Sequence, residues 1–348
     1  MPGRAPFEIG NSKIPAGARQ TVDLPVSVLS DHTPVTMSVH VVHGSRPGPT
    51  LFVSAAVHGD EVMGVEVARR LLRLPQLDRI RGTLLVVPIV NAFGFLNHSR
   101  YLPDRRDLNR CFPGSEKGSL ASRLAHLFMH EIVKRSDVGI DLHSAAIHRT
   151  NMPQIRVSPS AKNTMELAET FGAPVIVTSS LREGSLRQSA SESGVDVLLY
   201  EAGEGLRFDE LSARVGVSGI LRVMHVLGMV GAKGVPKASG TPIKVSSSSW
   251  VRAPIGGLLR AFIPTGETVE VGDVLGVVAD PFGETETEIQ SLVSGIVIGR
   301  ANLPIVNEGD ALFHIARPAT VSTDSETAAA HIDAELNTDP LYDEDEII

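Results

Sequence analysis

The chain has 348 residues, 42% of them hydrophobic and 21% charged, the balance of a soluble globular protein with room for about two domains. Its formal charge of −8 is local: nine of its 40 acidic residues follow Ala319, where there is no Lys or Arg, so the body before it is near neutral. That body offers no basic face for nucleic acid, one Trp and three Tyr make no base-stacking platform, and no apolar run reaches the ~18 residues of a membrane span. A single cysteine, Cys111, forbids an intrachain disulfide or CxxC pair, and the MPGRAPFEIG start lacks the layout of a secretion signal, so a cytoplasmic location is expected.

Taken in chain order, residues 21–43 read as strands, and LFVSAAV (51–57) is a continuous apolar run of the kind buried on both faces. It stops at HGDE, and Val62, Val65, Ala68, Leu71 and Leu72 follow at helical spacing. TLLVVPIV (83–90) is a second buried strand, followed by a long turn-rich segment, NAFGFLNHSRYLPDRRDLNRCFPG, of a length that points to function. SLASRLAHLFMHEIVK reads as a helix and VGIDLH (138–143) as a short strand. A helix near 161–171, the strand PVIVT, a helix near 185–193, the strand VDVLLY (195–200) and the helix LSARVGVSGILRVMHVLGMV continue the alternation. Such alternation predicts an α/β fold, a mostly parallel or mixed sheet with helices on both faces, for residues 1–230.

The stretch 231–242 is a Gly/Pro-rich linker, and 243–318 has β texture throughout. Here V-x-x-G-D-x-L occurs twice, as Val269, Gly272, Asp273, Leu275 and as Val306, Gly309, Asp310, Leu312. Tandem β units predict a small pseudo-symmetric all-β barrel or sandwich. The pattern resembles biotinyl and lipoyl carrier domains, but no lysine follows Lys244 to serve as an attachment point. Residues 319–348 are acidic and poor in core formers, and disorder is expected there, with 325–336 as a candidate terminal helix.

Strand ends hold the chemistry. His58 and Glu61 lie where LFVSAAV gives way to its helix, and His143 ends VGIDLH. In open α/β sheets ligands collect beyond the carboxyl ends of the strands, so these three can converge. Two imidazoles and a carboxylate suit one zinc ion with a fourth position for water. Glu201, directly after an apolar strand in LLYEAG, is poised at the same rim, where it suits a general base, an N-cap or a structural salt bridge.

HGDE (58–61), DLNRCFPG (107–114), DLH (141–143) and YEAG (200–203), in that order, resemble the succinylglutamate desuccinylase/aspartoacylase family of the zinc carboxypeptidase-like superfamily over roughly 30–230. The β module resembles that of its longer bacterial members. The resemblance implies zinc ligation by His58, Glu61 and His143, proton transfer by Glu201, and a carboxylate clamp from Asn109 and Arg110. It also implies Arg100, with Arg105 and Arg106 as alternatives, for polarising the scissile carbonyl, and Arg187 as a second substrate-binding arginine. The implied activity is a zinc-dependent hydrolase of carbon–nitrogen bonds, a deacylase acting on a small N-acyl amino acid. A carboxypeptidase and a non-catalytic ligand-binding or assembly protein on this fold are the alternatives, and self-association is left open. Asp141 reads as support for the ligand sphere or for the substrate, His148 as a candidate pocket residue, His126 and His130 as a solvated helix face, and Cys111 as packing.

Overall fold

The computed structural model describes residues 4–158 and 162–318. The acidic segment 319–348, expected to be disordered, lies outside them.

A short hairpin, β1 (Phe7–Ile9) and β2 (Ser12–Ile14), precedes a long antiparallel ribbon of β3 (Ala18–Val28) and β4 (Pro34–His43). Val22, Leu24 and Val26 are buried between exposed neighbours, the period of two of a sheet with one wet face. Then come β5 (Arg46–Ala55), α1 (Met63–Leu72), β6 (Arg81–Val87), the short α2 (Ala92–Leu96), α3 (Leu120–Glu131) and β7 (Val138–His143). They are followed by β8 (Arg149–Val157), α4 (Lys162–Phe171), β9 (Val175–Thr178), α5 (Leu186–Glu192), β10 (Asp196–Gly203) and α6 (Glu210–Val226). Every residue of β7 is buried, as a central strand covered on both faces requires.

The mixed α/β sheet has helices on both faces. Leu71 of α1, Phe171 of α4 and Ile220 of α6 share one apolar cluster; Phe128 of α3 and Ala190 of α5 share the other with Val22 and Leu24. β5, β7 and β10 run parallel, with Val53 and Leu198 both opposite Ile140, so their carboxyl ends reach one edge. Two features are absent from the sequence reading: the β1–β2 hairpin and β8. The latter runs antiparallel to β10 and carries Pro153, which lacks a ladder donor. The β8–β10 register shifts between Glu201 and Gly203, so the proline sits at a bulge.

The later strands are β11 (Ile243–Arg252), β12 (Gly257–Ala261), β13 (Thr268–Val269), β14 (Val274–Ala279), β15 (Glu286–Gln290), β16 (Gly295–Ala301), β17 (Ile305–Val306) and β18 (Ala311–Pro318). The main sheet continues into them: β11 joins β9 in parallel, with Ile243 opposite Val175, and β18, β16 and β13 follow, giving twelve strands. A separate sheet, β15-β14-β12-β17, packs over that extension through Leu259, Leu275, Val278, Val297, Phe313 and Ile315. The repeat maps onto two equal turns. Gly272 and Gly309 take φ +93° and +86°, and Asp273 and Asp310 accept bonds from the Glu270 and Asn307 amides. Among the described residues no helix is long and apolar enough to cross a membrane.

Candidate metal centre and active-site cleft

The chain leaves β5 through Ala56, at φ +49°, into the HGDE turn, where the Glu61 amide bonds the His58 carbonyl at 3.1 Å. The turn is pressed against α2: a Cβ on Gly59 would lie 1.9 Å from the Gly94 carbonyl carbon. Only a glycine fits, and that close approach sets where His58 and Glu61 point.

His143 meets them from the end of β7. Donor atoms of His58, Glu61 and His143 all lie within 4.8 Å of one another, and all three residues are buried. The Glu61 carboxylate bridges the two Nδ1 atoms, with 2.7 Å to each ring. The opposite ring nitrogens are engaged by carboxylates, His58 Nε2 by Asp107 at 3.0 Å and His143 Nε2 by Asp141 at 2.7 Å. Asp141 in turn accepts from the Ser54 hydroxyl at 2.7 Å. Both rings are thus oriented with Nδ1 toward a common point, the arrangement that tunes a metal-ligating imidazole. Burial alone disfavours charge on the rings, but Glu61 with Asp107 at His58, and Asp141 with Glu61 at His143, outweigh it and raise both imidazoles above their ordinary values. Burial likewise opposes ionisation of Glu61, yet the two imidazoles hold its carboxyl far below the usual range. The donor set, its burial and the carboxylates behind it fit one divalent cation of zinc type.

A cleft of about 570 Å³ opens from this cluster. Among the three arginine candidates, Arg100 lines it, bonding Glu61 Oε1 at 3.2 Å and Asp107 Oδ2 at 3.0 Å. Arg105 and Arg106 are exposed outside its lining. Asn109 is buried and lines the cleft, its side-chain oxygen accepting from the Leu186 amide at 2.9 Å, while Arg110 lines it from an exposed position. Arg187 lines it from α5, donating to the Ser179 hydroxyl at 3.3 Å and leaving Nη1 buried without a partner. Burial, then the neighbouring Arg156 charge, pushes its guanidinium down to about 10. Glu201 lines the cleft from near the end of β10, beside His143 in the register of the adjacent strand. Its Oε2 accepts from Asn151 at 2.7 Å and pairs with Arg156 at 3.1 Å. His148 is exposed outside the lining, and His126 stacks on His130 away from the cleft.

The sequence reading missed the far wall. Trp250 of β11 stacks on His314 of β18 at 4.5 Å between centroids, with the Arg149 guanidinium 5.4 Å from the Trp250 ring centroid. Both rings line the cleft beside Ser246, Ser247 and Ser248. The sole tryptophan was the one available signal. Six arginines (Arg100, Arg110, Arg149, Arg156, Arg182, Arg187) face three carboxylates (Glu61, Asp141, Glu201) around the cleft.

Comparison with known proteins matches residues 47–227 to the succinylglutamate desuccinylase/aspartoacylase catalytic domain. The N-alpha-acetyl-L-2,4-diaminobutyric acid deacetylase of Halomonas elongata is 28% identical over 281 residues, 77% of this chain and 82% of that enzyme. A succinylglutamate desuccinylase/aspartoacylase structure from Rhodobacter sphaeroides superposes with TM-score 0.78 at 26% identity, covering 87% of this chain and 96% of that one. The product-bound ectoine utilization protein EutE (DoeB) from Ruegeria pomeroyi shares the fold, with TM-score 0.77 at 23% identity over 90% of this chain and 98% of its own.

Proposed function

This chain belongs to the succinylglutamate desuccinylase/aspartoacylase family, and from that premise we propose that it is a zinc-dependent deacylase that hydrolyses the amide bond of a small N-acyl amino acid. The observation that carries the reading is the buried His58–Glu61–His143 cluster opening into the cleft where Glu201 stands. His58, Glu61 and His143 would hold the ion. When bound, zinc supplies Lewis acidity that polarises a carbonyl and acidifies water.

The chain's own groups supply the rest. Among the described residues the hydrogen bond to Glu201 falls on Oε2, which leaves Oε1 to take a proton from the attacking water and return it to the leaving amine. Asn109 and Arg110 orient the amino acid through its carboxylate, and Arg100 stabilises charge developing on the acyl oxygen. Arg187, with its unpartnered Nη1, takes a second anionic group. The arginine excess favours an N-acyl amino acid with a further carboxylate over the amine-bearing compound named for the Halomonas enzyme.

Trp250 and His314 close one side of the cleft, which disfavours a peptide chain and sets the carboxypeptidase alternative behind. A retired binding protein would need no intact donor set with a base beside it. On this proposal 1–230 is the catalytic body, 231–242 a linker and 243–318 a β sandwich that lends the body a wall. The test pairs metal analysis with a panel of acetyl, succinyl and longer acyl amino acids. Glu201→Gln is expected to keep its zinc and lose about 10²–10⁴ in kcat. Retained turnover in that variant removes Glu201 from the mechanism.

A further inference from the structure

Glu201, two residues before the end of β10, lies beside a strand that carries one residue too many. Along β10 and β8, Leu199 lies opposite Arg156 and Glu201 opposite Gln154, but Gly203 lies opposite Asn151. Regular pairing would set Gly203 against Met152, and the extra residue at the Pro153 bulge turns Asn151 onto the Glu201 side of the sheet. The result is one hydrogen bond and one ion pair on a single carboxylate oxygen: Asn151 Nδ2 donates at 2.7 Å and the Arg156 guanidinium pairs at 3.1 Å with Oε2. Oε1 is left for chemistry.

The other edge of β8 is held by β16, where Gly299 lies directly opposite Asn151. A Cβ on Gly299 would come within 2.7 Å of the Asn151 side-chain oxygen and 3.2 Å of the Thr150 carbonyl. The missing side chain therefore makes the space in which the Asn151 amide sits. A second tie lies nearby: the Asn302 amide donates to the His148 carbonyl at 2.7 Å, and its side chain donates to Glu204 at 2.9 Å.

We propose that Asn151 is the positioning residue of the general base, and that strand β16 of the C-terminal β unit supports it through the space left at Gly299. The β unit on this account belongs to the proton-transfer apparatus as well as to the cleft wall. The inference rests on Glu201 being the base.

The experiment uses the full-length zinc protein and four variants: Glu201→Gln, Asn151→Ala, Gly299→Ala and the double Asn151→Ala/Gly299→Ala. Each is assayed for kcat, KM, zinc content and Tm on the best substrate of the acyl panel. Asn151→Ala is expected to lower kcat by about 10- to 100-fold, with KM within about twofold and zinc unchanged, since the amide orients the base without holding substrate or metal. Gly299→Ala is expected to lower kcat in the wild-type background and to have almost no further effect when Asn151 is already Ala. If Glu201→Gln is inactive while Asn151→Ala keeps its kcat, or while the Gly299 effect persists undiminished in the double variant, the positioning inference is overturned and the base stands. If Glu201→Gln is active, the base assignment falls and this inference with it.

Discussion

Behind each ring of the His58–Glu61–His143 cluster stands a carboxylate, Asp107 at His58 and Asp141 at His143. They fix which nitrogen points inward and enrich it, so their effect is read in metal affinity. Asp141→Asn is expected to weaken zinc binding by about 10- to 100-fold with the fold intact, measured by competition with a chromophoric chelator; unchanged affinity would assign Asp141 to packing alone. His314 is a residue of the opposite kind. Burial, then the Arg156 charge, pushes its imidazole down to about 4, below the ordinary value of 6.5. The unfolded chain therefore takes up this proton first as pH falls. The stability it contributes is complete above about pH 6.5 and is lost as pH falls toward 4. Denaturant unfolding at pH 7 and pH 5 should show this loss, and His314→Phe, which keeps a ring on Trp250, should reduce it. Residues of this kind differ in how visible they are in the sequence. His58, Glu61, His143 and Glu201 follow apolar runs whose ends can be read, whereas Asn151 and Arg156 lie in a stretch that Pro153 disguises as loop.

Among the elements, the turn between β5 and α1 carries the sharpest steric demand. Gly59 packs on Gly94 so closely that a methyl group would collide with backbone on both sides of the Gly94–Phe95 peptide. Gly59→Ala should cost more than about 2 kcal/mol of stability and reduce zinc content, measured by thermal unfolding and metal analysis; a wild-type Tm with full zinc would contradict this account of the turn. The same contact shows why the alternation of strands and helices was legible while the site's detail was not. Apolar runs such as 51–57 and 138–143 announce buried strands through their own composition. The approach of Gly59 to Gly94, or the bulge opposite Glu201, is set by chain segments far apart in sequence and has no local signature. The V-x-x-G-D-x-L repeat is the intermediate case: its glycines and aspartates specify two turns locally, but nothing in it shows that β11 and β16 join the main sheet.

For the whole molecule, the join between the α/β body and the C-terminal strands decides what the cleft admits. Twelve strands form one sheet, and its extension supplies Trp250 and His314 to a cleft whose other walls come from the body. Trp250→Ala should therefore shift the ratio of kcat/KM values toward longer acyl groups by about tenfold or more, as loss of a wall permits; an unchanged ratio would place the acyl group elsewhere. Hydrolysis in this cleft requires that His58, Glu61 and His143 grip one ion that the reaction needs. The most direct measurement is a zinc titration of the metal-stripped protein, with amide hydrolysis followed in the same samples, for the wild type and for His143→Ala. Activity should rise to a plateau at one equivalent of zinc in the wild type, with weak binding and no recovery in the variant. Full activity in the stripped wild type, or stoichiometric tight binding by His143→Ala, would contradict it.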